Sequence, residues 1–115
     1  MSSKVFRWLL WLAIAFTLVM ALLPKPPELP GDPGDKVQHV MAFLTLTVLT
    51  VLAYPGVRLV TIFIALSGFG VLIELLQMIP ALNRDAQWED WLADSAAVLA
   101  VLALAVLVRR IAVRR

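Results

Sequence analysis

Four long apolar segments dominate the chain, and residues that break helices separate each segment from the next. The segments cover about residues 5–23, 37–54, 57–79 and 88–108. A helix that crosses a lipid bilayer needs about 20 mostly apolar residues. The breakers are a Pro-rich and Gly-rich stretch over 24–34, the pair Pro55-Gly56, and a loop that begins at Pro80. The sequence therefore predicts an all-α integral membrane protein, a single domain of four transmembrane helices.

The composition supports a membrane location and argues against two other classes. The chain is 62% hydrophobic, whereas soluble domains are about 45–50% apolar. It has no cysteine, which excludes disulfides and thiolate metal sites. The net charge is +2, and four of the ten basic residues lie near the C-terminus: Arg109, Arg110, Arg114 and Arg115. Such a cluster is typical of a membrane-surface anchor, so we expect no nucleic-acid partner.

The distribution of lysine and arginine predicts the orientation of the helices. Cytoplasmic loops of membrane proteins carry an excess of these residues. One side holds Lys4, Arg7, Arg58, Arg109, Arg110, Arg114 and Arg115, and the other side holds Lys25, Lys36 and Arg84. This difference predicts that the N- and C-termini are both cytoplasmic and that the first and third loops face outward.

A small set of polar residues lies at or near the ends of the apolar segments, all on the predicted outer side. An ionisable group within a membrane span is costly and usually marks a functional site. Counting along the helices places His39, Glu74 and Asp94 within one or two turns of the same surface. We therefore predict one outward-facing pocket formed by spans two, three and four. Its candidate residues are Asp35, Lys36, His39, Glu74, Gln77, Arg84, Asp85, Asp90 and Asp94.

The order of these polar residues resembles the VanZ-like family of small multipass membrane proteins. The resemblance rests on Asp35-Lys36-x-x-His39-x-x-x-Phe43, on Glu74-x-x-Gln77, and on Arg84 followed by Asp90-x-x-x-Asp94. It covers about residues 35–104. The chain departs from the family pattern at Asp94, where the family usually has asparagine, and at Ala97 and Ala100, where glycines usually stand.

The resemblance implies a protein of the bacterial cytoplasmic (inner) membrane. The family takes its name from a member associated with resistance to the glycopeptide teicoplanin, whose target is a cell-wall precursor outside the membrane. Because most members have no assigned activity, the resemblance transfers no reaction.

Several functions remain open on the residues alone. The first is a binding protein for a membrane lipid, a lipid-linked envelope precursor or a headgroup. The alternative is an enzyme in which His39 and Glu74 act on such a substrate. A divalent cation held by His39, Glu74, Asp90 and Asp94 would offset the excess of carboxylates. A transporter is disfavoured because the inner halves of the spans carry no charge, and a purely structural polar network is the remaining possibility.

Overall fold

The protein consists of four helices joined by short connections. A computed structural model describes residues 2–23, 34–82 and 86–114. Helix α1 spans Ser3–Leu22, α2 spans Gly34–Ala53, α3 spans Leu59–Gln77 and α4 spans Trp88–Arg114, with one 3₁₀ turn at Pro80–Leu82. The predicted all-α class with four helices is confirmed. All four helices are long and apolar enough to cross a membrane, which is consistent with a multi-pass membrane protein.

The helix ends follow the breakers in the sequence. Helix α2 ends at Ala53, two residues before Pro55, because a residue that precedes proline is disfavoured in helical conformation. The N–H of Val57 then donates to the carbonyl of Tyr54 at 3.1 Å and closes the turn into α3. The structure differs most from the prediction at α4, which continues from the expected end near residue 108 to Arg114.

Contacts between helix ends show that successive helices run in opposite directions. At one end, the Gln77 side chain at the end of α3 donates to the Ala21 carbonyl near the end of α1 at 2.9 Å. At the other end, Arg7 Nε in α1 donates to the Ala53 carbonyl at 3.0 Å. The Arg7 guanidinium also lies 4.7 Å from the centre of the Tyr54 ring. We call the first of these ends, where α1 and α3 finish and α2 and α4 begin, the polar end.

Helix α2 packs against α1 on one side and against α4 on the other. The buried core joins Phe43 and Leu46 of α2 to Ile62 and Ile73 of α3 and to Val98 of α4. Helices α2 and α3, which the tight hairpin predicts to be neighbours, do contact each other. Each of them packs more extensively against α4. Helix α4 therefore holds the other two in register at the polar end.

Candidate functional site

His39 of α2 and Asp94 of α4 form a buried pair near the polar end. His39 Nδ1 lies 3.3 Å from Asp94 Oδ1 and 3.4 Å from Asp94 Oδ2. The Asp94 side chain is completely buried and His39 is buried as well. A charged group in an apolar interior is stable only when it is paired and hydrogen-bonded. The pair therefore fixes the rotation of α2 relative to α4.

Glu74 of α3 adds a second carboxylate to this pair. One ligand-type atom from each of His39, Glu74 and Asp94 lies within 4.8 Å of the other two. Glu74 Oε2 accepts a hydrogen bond of 3.1 Å from the backbone N–H of Gln87. Glu74 Oε1 is buried and has no hydrogen-bond partner among the residues that the structure describes. We call these three side chains, contributed by three different helices, the polar cluster.

Small residues on α3 allow α4 to come close enough to complete the cluster. A Cβ atom added at Gly70 would lie 3.3 Å from Asp94 Oδ2 and 3.3 Å from Trp91 Cδ1. One turn earlier, the hydroxyls of Ser67 and Ser95 are 2.9 Å apart. The Trp91 indole N–H donates to the Ser67 carbonyl and to its hydroxyl. Close helix approach through small residues is the usual device of membrane bundles.

An ion pair between Lys36 of α2 and Asp90 of α4 lies beside the polar cluster. Lys36 Nζ is 3.8 Å from Asp90 Oδ1; the Asp90 side chain is buried, and nearly half of the Lys36 side chain is exposed. Within the described parts of the chain, Lys36 is the cationic side chain at the polar end, and His39 becomes cationic only when it is protonated. They face the three carboxylates of Glu74, Asp90 and Asp94. The site is therefore rich in carboxylates and has one flexible lysine at its rim.

The remaining predicted site residues fall into two groups. Gln77 is buried, and its side chain joins α3 to the carbonyl of Ala21. Asp35 belongs to the first turn of α2, but its side chain lies outside the described part of the structure. Arg84 and Asp85 also lie outside the described residues. The structure thus brings together His39, Glu74 and Asp94, with Lys36 and Asp90 beside them.

An apolar groove of about 510 Å³ runs between α1 and α2. Its walls include Ala13, Met20 and Ala21 of α1 and Ala42 of α2, and His39 also lines it. This groove is separate from the polar pocket predicted on spans two to four, and the prediction includes no contribution from α1. The available signal was the spacing of Ala13, Thr17 and Ala21 at four-residue intervals, a small-residue stripe on one face of the helix.

Comparisons with family models, with curated proteins and with solved structures found no match to this chain. The VanZ-like resemblance therefore stays a prediction that rests on the order of the polar residues.

The close approach at Gly70 generates a test of the site's construction. We expect Gly70→Leu to lower the free energy of unfolding by about 1–3 kcal/mol, because the side chain overpacks the contact with Asp94 and Trp91. Gly68→Leu is the matched control, since nothing lies within 4 Å of a Cβ at Gly68; its effect should stay within about 0.5 kcal/mol. Thermal unfolding in one detergent measures both. Equal effects would contradict the packing described here.

Proposed function

We propose that this chain is a multi-pass membrane protein that binds a lipid or a lipid-linked envelope precursor at the polar end. One observation carries the proposal. His39 lines the apolar groove between α1 and α2 and at the same time contacts Asp94 in the polar cluster. An apolar groove that adjoins the polar cluster fits a ligand with a hydrocarbon chain and a polar headgroup.

The exposed surface supports insertion in a bilayer. Large apolar side chains cover the outside of the bundle, and about two thirds of the surface of Trp8, Phe16 and Ile64 is exposed. Soluble monomers rarely expose contiguous apolar patches larger than a few hundred Å². The helices contain 19 to 27 residues, which corresponds to about 28–40 Å at 1.5 Å per residue. This length matches a hydrocarbon core of about 30 Å.

The basic residues support one orientation. Lys4, Arg7 and Arg58 lie at the end opposite the polar cluster, as do Arg109 and Arg110. The positive-inside rule then puts both termini in the cytoplasm and the polar end outside. Together with the VanZ-like resemblance, this supports a location in the bacterial inner membrane, with the site facing the envelope. A link to glycopeptide resistance would follow if the bound molecule is a cell-wall precursor.

Single cysteines test this orientation, because the chain has none of its own. Ala81→Cys lies at the polar end and Gly56→Cys lies at the opposite end, and both positions are exposed. We expect a membrane-impermeant maleimide to label Ala81→Cys in intact bacterial spheroplasts and to label Gly56→Cys only after lysis. The reverse pattern, or labelling of both variants in intact spheroplasts, would contradict the proposed topology.

The groove has the dimensions and chemistry to take part of a hydrocarbon chain. On α2 it extends from Val37 to Leu46, which is about 14 Å along the helix axis. Its lining begins near the polar end with Val37 and Met20 and continues toward the middle of the helices at Ala13. Burial of apolar surface stabilises a bound chain by about 25 cal/mol per Å².

The polar end has groups suited to a headgroup. Lys36 stands at the rim, half exposed, where its ammonium group can reach a phosphate as well as Asp90. Asp90, Glu74 and His39 offer acceptors for amines or sugar hydroxyls. The same headgroup would meet the Gln87 side chain, which is exposed at the start of α4. Recognition would thus combine a chain in the groove with polar contacts around the cluster.

An enzyme is the second candidate, and the His39–Asp94 contact is the observation that favours it. A histidine oriented by a buried carboxylate is a common arrangement for general acid–base catalysis. Glu74, within 4.8 Å of both partners through its nearest ligand atom, would be the second acid–base group. In that case the bound lipid would be chemically changed, and His39 would be required for the change.

Filling the groove tests lipid binding. We expect wild-type protein to be stabilised by undecaprenyl phosphate or phosphatidylglycerol, by about 2.7 kcal/mol when free lipid is at 100 times Kd. Ala42→Phe should lose this stabilisation, because the ring occupies the groove. Ala65→Phe is the matched control, since Ala65 is exposed on α3 and does not line the groove. Thermal unfolding in detergent with added lipid measures the shift.

The same experiment separates the candidates. Equal lipid stabilisation of the Ala42→Phe and Ala65→Phe variants would exclude the groove as the binding site. Recovered lipid is also analysed by mass spectrometry. Conversion of the lipid by wild type but not by His39→Ala would identify an enzyme, whereas unchanged lipid with retained binding identifies a binding protein.

A further inference from the structure

We propose that His39, Glu74 and Asp94 form a binding site for one divalent first-row transition metal ion. This inference goes beyond the proposed lipid function and does not depend on it. His39 also lines the groove, but Glu74 and Asp94 do not, so two of the three ligands lie away from the groove wall. It identifies the chemical class of a ligand that the polar cluster itself would take.

The spacing of the three side chains fits a single ion. Nitrogen and oxygen ligands bind Zn²⁺ at about 2.0–2.2 Å, so two ligands at a tetrahedral angle are about 3.4 Å apart. His39 Nδ1 and Asp94 Oδ1 are already 3.3 Å apart. The three ligand atoms all lie within 4.8 Å of one another. To bring two ligand atoms from 4.8 Å to about 3.4 Å apart, one of them must move by less than about 1.5 Å. Small rotations of the Glu74 side chain supply this movement.

The charges at the polar end favour a cation. Glu74, which is partly exposed, and Asp94, which is fully buried, bring two carboxylates together at the polar end. Burial of such a group is costly unless its charge is offset. Among the described residues, Lys36 is engaged with Asp90 at 3.8 Å, which leaves His39 facing both cluster carboxylates. A divalent ion offsets both negative charges, and neutral His39 then serves as a ligand.

The hydrogen bonding of Glu74 also supports a role as a metal ligand. Its Oε1 atom is buried without a hydrogen-bond partner in the described part of the chain, although buried polar atoms almost always have one. Its Oε2 atom is held by the backbone N–H of Gln87. Metal-binding carboxylates are commonly oriented in this way by an outer hydrogen bond. One oxygen is thus positioned by the backbone, while the other accepts no hydrogen bond from any residue that the structure describes.

The donor set indicates which ions to expect. One imidazole nitrogen and two carboxylates suit Zn²⁺, Mn²⁺ or Fe²⁺. Mg²⁺ is less suited, since it usually binds through one or two carboxylates and retains several waters. Three protein ligands leave further coordination positions open, which is the arrangement of catalytic sites and not of closed structural sites.

Metal titration of the purified full-length protein tests the site. The protein is stripped with a chelator in detergent and then titrated with ZnCl₂ or MnCl₂. Bound Zn²⁺ is measured by elemental mass spectrometry and bound Mn²⁺ by electron paramagnetic resonance. We expect one ion per chain, with affinity reduced about tenfold or more in Glu74→Gln and in Asp94→Asn. Mg²⁺ at the same concentration should not displace either ion.

Two variants provide the controls. Glu89→Gln removes an exposed carboxylate from the same end of α4 and should leave the affinity unchanged. Ser95→Ala removes the interhelical contact with Ser67 next to Asp94, so it reports on packing without the loss of a ligand. Its affinity should remain within about threefold of wild type, a difference of about 0.65 kcal/mol at 25 °C.

The outcomes are distinct. Absence of stoichiometric binding to wild type would overturn the site, as would equal affinity in wild type and Glu74→Gln. Glu74→Gln preserves the size of the side chain, so it decides the result if Asp94→Asn fails to fold. Because the titration contains no lipid and Ala42→Phe leaves all three ligands in place, failure of the metal site and failure of lipid binding are seen separately.

Discussion

The structure depends on the need to compensate Asp94, a carboxylate with no exposed surface inside an apolar bundle. The free energy of removing such a charge from water amounts to several kcal/mol, and only well-placed partners offset it. His39 lies within 3.3–3.4 Å of both carboxylate oxygens. Meeting this requirement fixes the depth and rotation of α2 against α4. Ser67 and Gly70, which allow α3 to approach α4, then bring Glu74 into the same layer.

One arrangement therefore accounts for both packing and chemistry. The side chains that hold three helices together at the polar end are also the ones proposed to bind a ligand. The opposite end is held differently, by Arg7 against the Ala53 carbonyl and the Tyr54 ring. The carboxylates of this otherwise apolar chain therefore take part in helix packing at the polar end. Helix α1 adds one wall of the apolar groove, which His39 of the polar cluster also lines.

The sequence predicts much of the fold, because long apolar runs and proline breakers determine where membrane helices begin and end. Residue counting also places His39, Glu74 and Asp94 at similar depth. It does not select His39 over Lys36 as the partner of Asp94, since that choice depends on helix rotation and on which helices are neighbours. The backbone N–H of Gln87, which holds Glu74, has no signal in the sequence. The groove along α1 is not predicted, because the small-residue stripe of Ala13, Thr17 and Ala21 does not indicate which helix packs beside it.

The most direct test of the account uses the fact that His39 is the only histidine in the chain. Labelling of histidine with ¹⁵N makes the ring nitrogens of His39 the only imidazole resonances of the protein in lipid bilayers. The account predicts that Asp94→Asn shifts these resonances, whereas Glu89→Gln leaves them in place. Resonances that are identical in wild type and Asp94→Asn would show that His39 does not contact Asp94, and would contradict the central contact of the structure.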